Sequence, residues 1–466
     1  MPGQGLRPLT RARLLVVPLV AAAAFAVLAL PVPAGTGPQV LPALALTVFT
    51  VGLWATGSLP EYITAVVFFV LALALGVAPP EAVLSGFWSS AFWLVAGGLV
   101  IGVAADRTGL GQFLAHAFVR RLSASYPRLI TGIVLGAVVL AFLIPSAIGR
   151  LIILMPIILS LADKLGFVPG TRGRTGMVLA TTMGSFFIPL TILPANLPNV
   201  VLAGVADNLY GLKITYGAYL LMNFPVLGAL KALVLVAVIC FFYNDPIADP
   251  AADVEKPRLN TEGWRLALIV GVTLAVWATD FVHGIQPGWV AVVAALICVS
   301  PGVGVIKAAD FPGTSSFQIL FFVAAVLALG NVVATSGAGA LIADQLLALT
   351  DFRPGGTGYA YGVFSAMSMA MSLFSTLPGS IVVIAPFAAE VAEASGLPLL
   401  AVLMIIVNGF STVIFPYQGG PILVGLRLGG ATLMDGLRVT LPVALITVVA
   451  LLPLQFFWWR WLSNLP

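Results

Sequence analysis

The feature that most limits what this chain can fold into is a long-range echo of itself inside apolar sequence. Phe92–Gly102, closing on Thr108-Gly109-Leu110-Gly111, recurs as Ile319–Leu329, closing on Ser336-Gly337-Ala338-Gly339. The copy continues downstream, where Pro145-Ser146-Ala147-Ile148-Gly149-Arg150 ahead of Pro156 matches Ser375-Thr376-Leu377-Pro378-Gly379-Ser380 ahead of Pro386. Apolar segments interrupted by Gly and Pro at corresponding places in two halves are the pattern of a secondary transporter whose site lies where the repeats meet. Transport is therefore the leading expectation, ahead of catalysis.

The chain is 60% hydrophobic and 8% charged, whereas an average soluble domain is about one-quarter charged. So much apolar surface in 466 residues requires a polytopic membrane protein. Cys240 and Cys298 lie in apolar segments and form neither a disulfide framework nor a metal motif, and His116 and His283 stand alone. With no visible set of nucleophile, base and orienting group, a membrane-embedded enzyme is disfavoured. The net charge of +4 marks topology and not a nucleic-acid partner. Arg7, Arg11 and Arg13 precede an apolar run from Leu14 to Leu30; a cleavable signal peptide fits this start, but the charge pattern downstream favours an uncleaved first helix with its start in the cytoplasm.

Apolar segments of roughly bilayer-spanning length fall at 14–31, 40–57, 61–78, 88–105, 176–204, 216–242, 265–282, 288–305, 317–336, 397–425 and 438–459. Two more, 129–165 and 357–395, carry Pro145 with Gly149 and Pro378 with Gly379 at their middles, and read as re-entrant helical hairpins, with proline-kinked spans as the alternative. Irregular backbone at membrane depth survives only when buried in protein or lining a cavity, so each hairpin tip is a site candidate. Segment 176–204 is broken at Pro189 and at Pro194–Asn199, and 397–425 at Pro416–Pro421, an alignment that sets Asn196 opposite Gln418. With the start inside, only Lys213, Arg353 and Arg460 of the 21 Lys and Arg face outward, and Arg150 and Lys231 lie at membrane depth. That bias supports the orientation.

The resulting organisation is an all-α polytopic membrane protein of two inverted repeats, with re-entrant hairpins and broken transmembrane helices. It comprises a start and first helix at 1–38, a first repeat at 39–243, a cytoplasmic linker at 244–264 and a second repeat at 265–466. The acidic residues of the linker, including Asp249, Asp253 and Glu255, read as a solvated connection.

Over about residues 40–460 the chain resembles the divalent anion/sodium symporter family. Besides the paired repeats, Leu53–Ala65 is similar to the family's Trp-x-Thr-Glu-Ala-Leu-Pro-x-x-x-Thr-Ala stretch. The family carries Ser-Asn-Thr at each hairpin tip and a Gly-Thr-Pro-Pro-Asn-like break in each facing helix, which together surround two sodium ions and a dianion. Here the first tip is Ser146-Ala147-Ile148, the second is Thr376-Leu377-Pro378 or, slipped by one, Ser375-Thr376-Leu377, and Pro198-Asn199 match the first break. The resemblance implies substrate contacts from Ser146, Gly149, Asn196, Ser375, Thr376, Gly379, Ser380 and Gln418, and candidate sodium positions at Ser146, Pro198, Asn199 and Thr376. It also implies a homodimer in the inner membrane, working as an elevator in which 129–204 and 357–425 slide against the other helices.

Arg150, four residues after Ser146, departs from the family pattern. A charge at that depth normally faces a cavity with a partner, and its fork of donors suits carboxylate, sulfate or phosphate. Substrate contact is therefore the role expected of Arg150, with pairing to a carboxylate or backbone carbonyls as the alternative. Neither tip nor either break contains Asp or Glu, which favours an anion over arsenite exchange or sodium/proton exchange, and the thinned hydroxyl and amide set predicts weaker sodium coupling than the family pattern. A channel remains the rival from another class. Lys231 either snorkels or is held against the transport core. The expected function is secondary transport of a small, divalent anion such as a dicarboxylate or sulfate.

Overall fold

The computed structural model describes residues 11–33, 35–114, 125–247, 258–342, 350 and 352–463. The start before Arg11, His116, Arg120, Arg121 and most of the expected linker, with Asp249, Asp253, Glu255 and Lys256, lie outside the described residues. Among the described residues all regular structure is helical, as the absence of any two-residue alternation requires. Among the described residues, seven helices are long and apolar enough to cross a membrane.

The first half runs α1 (Arg11–Leu28), α2 (Val40–Thr56), α3 (Glu61–Ala74), α4 (Ser90–Arg107), α5 (Tyr126–Leu143), α6 (Ala147–Lys164), α7 (Arg172–Gly184), α8 (Leu197–Tyr210), α9 (Tyr216–Asn223), a π-helical segment Phe224–Leu230, and α10 (Lys231–Tyr243). The second half runs α11 (Thr261–Ala278), α12 (Pro287–Val299), α13 (Thr314–Thr335), α14 (Thr357–Phe374), α15 (Leu377–Ile384), α16 (Ala388–Ser395), α17 (Leu399–Ser411), α18 (Gly420–Gly429), α19 (Leu433–Ile446), a second π-helical segment Thr447–Leu451, and α20 (Leu452–Ser463).

The sequence echo is an echo in local geometry. Phe92–Gly102 lies in α4 and Ile319–Leu329 in α13. Each helix ends on a left-handed glycine, Gly109 at φ 73° and Gly337 at φ 79°, the conformation that stops a helix at little steric cost. The middle of α13, Phe322–Leu329, is buried on every side, so its apolar run has no polar face because it has no solvent face. Small residues permit this: a methyl on Gly86 would sit 1.9 Å from the Ala324 carbonyl oxygen, and one on Gly97 would sit 2.6 Å from the Ala291 backbone.

Both expected hairpins have their turns where Pro and Gly predict them, at 144–146 between α5 and α6 and at 375–376 between α14 and α15. Both broken helices are broken, α7 from α8 by two short 3-10 turns at Ile188–Thr191 and Leu193–Ala195, and α17 from α18 by one at Pro416–Gln418. The halves exchange contacts reciprocally. α6 packs on α18, while α15 packs on α8. Thus the second helix of each hairpin rests on the distal part of the other half's broken helix, and the tips and breaks form one cluster in the core.

Candidate functional site

At each tip a hydroxyl caps the helix that follows. Ser146 Oγ accepts from the Gly149 amide at 3.1 Å, and Thr376 Oγ1 accepts from the Gly379 amide at 3.2 Å. These are N-caps, which stabilise a helix start by about 1 kcal/mol. Their matching roles pair Ser146 with Thr376 and, four residues on, Arg150 with Ser380: Arg150 N donates to Ser146 O at 3.0 Å and Ser380 N to Thr376 O at 2.9 Å. Ser146, Gly149, Ser375 and Thr376 are half-buried; Gly379 and Ser380 are buried. Ser380 is engaged internally, donating to Leu377 O at 2.8 Å and accepting from Ser372 Oγ at 3.3 Å.

Arg150 is fully buried, and all five of its N–H donors are taken. Nε reaches Ser185 O at 3.3 Å, Nη1 reaches Ile144 O and, at 3.0 Å, Ala195 O, and Nη2 reaches Ser185 O at 2.8 Å and Asn196 Oδ1 at 3.0 Å. The guanidinium joins its own hairpin to both ends of the first break. Substrate contact was the role expected of it; in this conformation three carbonyls and the Asn196 amide oxygen take every donor instead, and none is left for an anion. Its charge sits at the C-terminal end of α7, where carbonyl dipoles favour a cation.

The expected alignment of Asn196 with Gln418 places two buried amides in parallel tasks. Asn196 Nδ2 donates to Phe186 O at 3.1 Å while its oxygen takes Arg150; Gln418 Nε2 donates to Ser372 O at 3.1 Å while its oxygen accepts from Ile414 N at 2.8 Å and Phe415 N at 2.7 Å. Each amide ties a break to a hairpin. Asn199 braces the first break through Pro189 O at 2.9 Å and Ile192 O at 2.7 Å. Pro198 occupies the second position of α8, as Pro421 does in α18, where the missing amide hydrogen has no partner to lose; neither helix start has a side-chain cap.

Unspent polarity gathers here. Ser185 Oγ, Asn199 Oδ1, Ser375 Oγ, Ser411 Oγ and Thr182 Oγ1 are buried without a hydrogen-bond partner. Buried polar atoms are normally satisfied, so these five are free to bond ligand or ion atoms, although others such as Thr50 Oγ1, Thr64 Oγ1 and Gln455 Oε1 are unpaired elsewhere in the core. Hydroxyls supply donors to an anion and acceptors to a cation. A small crevice of about 30 Å³, lined by Ser89, Asp207, Lys213 and Gln286, reaches Leu193 of the first break.

Of the two roles open to Lys231 in sequence, snorkelling or being held against the core, it takes the second: it is buried and donates from Nζ to Ser411 O at 3.0 Å across the halves. One feature escaped the sequence reading. Gly425 and Gly429 let α18 lie against α7, since methyls there would sit 2.5 Å from Thr182 Oγ1 and 2.1 Å from Val178 Cγ1. The small-x-x-x-small spacing was the available signal.

Residues 11–465 match the sodium:sulfate symporter transmembrane region. The chain belongs to that family. It is similar at 23% identity to a membrane protein of Cupriavidus necator, covering 95% of this chain and 91% of that one. It is also 23% identical to dicarboxylate transporter 2.2, chloroplastic, of Arabidopsis thaliana, over 90% of this chain and 79% of that protein, and 21% identical to the L-tartrate/succinate antiporter of Shigella sonnei, over 80% and 79%. In fold it resembles the Alcanivorax borkumensis YdaH transporter, with a TM-score of 0.55 at 16% identity over 97% of this chain and 98% of that one. The protein is a membrane transporter of the divalent anion and dicarboxylate family.

Proposed function

We propose that this protein is a secondary active carrier of small divalent anions, dicarboxylates foremost, binding them between its two hairpin tips and two helix breaks. The observation that carries this reading is that α6 packs on α18 and α15 on α8, with buried hydroxyls unpaired at the breaks and the second tip and no Asp or Glu in either tip or break. Free amide groups at helix starts favour negative charge, and the breaks supply carbonyls for a companion cation. Ser146, Gly149, Ser375, Thr376 and Gly379 are the tip positions nearest the anion in this reading, with Asn196 and Gln418 fixing the backbone around it. Pro198 and Asn199, with the Ser146 and Thr376 hydroxyls, are the candidate cation positions. Arg150 contributes fixed positive charge from beneath the first tip instead of a direct fork, which reduces the need for a sodium ion there.

Relatives that include a dicarboxylate transporter and an L-tartrate/succinate antiporter favour a dicarboxylate over sulfate. The two halves are taken as inverted repeats, moving as an elevator within a homodimer of the inner membrane with the start in the cytoplasm. The deciding experiment is uptake of labelled succinate and of labelled sulfate into proteoliposomes, in sodium or choline buffer at fixed voltage. Saturable uptake of a dianion with counterflow and a residual rate in choline is the expected result. Linear, non-exchanging flux identifies a channel instead, and uptake that vanishes in choline removes the charge-substitution idea. In cysteine-free protein, Arg172→Cys and Lys213→Cys label from opposite faces of intact cells if the orientation is as proposed.

A further inference from the structure

Lys231 is the first residue after the π-helical segment Phe224–Leu230, and it is 1% exposed. Its described partner is the carbonyl of Ser411, the last residue of α17 before the second break. An ammonium has three donors. The neighbouring Ser411 hydroxyl is buried without a partner. Arginine at the first break holds its proton under all conditions, but a lysine surrendered to the protein interior gives it up readily. The two breaks are therefore closed by cations of different kind, one permanent and one able to leave.

No other titratable side chain among the described residues stands at the Lys231 ammonium. On α5 and α7, both packed on α10, Tyr126, Arg128, Arg172 and Arg174 lie toward the far end of α10, where Gly176 meets Tyr243. The same end holds Cys240 and Tyr243 of α10 itself, Asp245, and Asp435 with Arg438 of α19. That end is roughly 18 Å away at 1.5 Å per residue. Tyr219 of α9 points to Leu190 O at 2.9 Å. The described polar neighbours of Lys231 are the carbonyl and hydroxyl of Ser411, so nothing on the protein pins its charge except the helix end that it caps.

We propose that Lys231 is a proton-coupling site of this carrier, taking up a proton when the dianion binds and releasing it when the anion leaves. The inference rests on the anion reading given above. Protonated, Lys231 holds Ser411 O and adds a positive charge to the loaded site; deprotonated, its amine leaves that carbonyl and the second break loosens. The step is Lys–NH2 plus H+ giving Lys–NH3+, with the proton taken from the aqueous solution. Anion and proton then assist each other's binding by equal amounts.

The test is succinate and sulfate binding to the purified full-length protein by calorimetry in two buffers of different ionisation enthalpy, across pH 6 to 9, for wild type, Lys231→Arg and Lys231→Met. Wild type is expected to absorb up to one proton per anion and to lose affinity by as much as about tenfold per pH unit as the lysine titrates. Lys231→Arg should bind the anion with no proton uptake and a flat pH profile. Lys231→Met should bind more weakly, with the same flat profile. If wild type binds a dianion without proton uptake, or if Lys231→Arg keeps the wild-type uptake and slope, the coupling role is wrong while the anion reading stands. If no dianion binds to folded wild type, the anion reading itself fails and the inference goes with it. Thermal melting of each variant separates loss of fold from loss of coupling.

Discussion

The first and second breaks use the same parts differently. Each interrupts a helix whose C-terminal carbonyl, Ser185 O or Ser411 O, is held by a buried cation. At the first break the cation is Arg150, from the adjacent hairpin, with five hydrogen bonds to four residues. At the second the matching hairpin position is Ser380, and the cation arrives from α10 of the other half with one described bond. One break is thus bolted and the other latched. Structural weight falls on the first, and the capacity to change falls on the second.

The difference is most sharply exposed by removing the cations in turn. Arg150→Met leaves Ser185 O, Ile144 O, Ala195 O and Asn196 Oδ1 without their donor, and each buried orphan costs roughly 1–3 kcal/mol. Loss of at least about 4 kcal/mol is expected, seen as failure to recover monodisperse protein or a large fall in melting temperature. Lys231→Met orphans one carbonyl but also removes a poorly paired buried charge, a change that is often neutral or stabilising. A fall in melting temperature as large as that of Arg150→Met would erase the distinction between bolt and latch. Arg150→Lys lies between, since three donors cannot replace five in a planar fork.

The seam that joins the breaks comes next. Gly429→Leu drives a side chain into Val178, only 2.1 Å from the glycine's notional methyl, and should cost about 1–3 kcal/mol or displace α18 from α7. The expected reading is a lowered melting temperature together with lost transport. Retained transport would mean that this crossing is not fixed during the cycle.

Smaller effects separate the tips. A methyl on Gly379 would meet Ser375 Oγ at 2.6 Å and Thr376 Oγ1 at 2.9 Å, whereas on Gly149 its nearest contacts are 3.4 Å away. Gly379→Ala should therefore reduce anion affinity several-fold while Gly149→Ala changes it little, measured by the same calorimetry. The reverse order would place the tighter tip in the first half. Smallest of all, Ser146→Ala and Thr376→Ala each remove one N-cap and should lower stability by about 1 kcal/mol apiece, read from melting temperature.

The helices were legible because each is written twice in apolar sequence and punctuated by Pro and Gly. The turn after Leu143, the break around Pro194–Asn199 and the left-handed stops at Gly109 and Gly337 all carry a local steric signature. Asn196 and Gln418 were found by aligning prolines, and their equivalence is visible in their bonds. Arg150 was recognised as out of place, but substrate contact was the role expected of it: four acceptors converge on it from positions up to 46 residues away, and no spacing rule reports such convergence. Lys231 was less legible still, since its partner lies 180 residues off in the other half. Sequence patterns report local backbone choices well and long-range polar pairing poorly.

The π-helical segment Phe224–Leu230 has a consequence for how Lys231 came to face inward. A π-turn is in effect one residue spliced into an α-helix, and each residue turns a helix by roughly 100°. Deleting a single residue from that segment would swing everything before it relative to α10, and the lysine would leave the Ser411 carbonyl for the outer surface of the helix. The aim of this cation is therefore stored as a phase, not as a contact: a one-letter insertion is enough to dial an unremarkable surface lysine into the core, or back out of it.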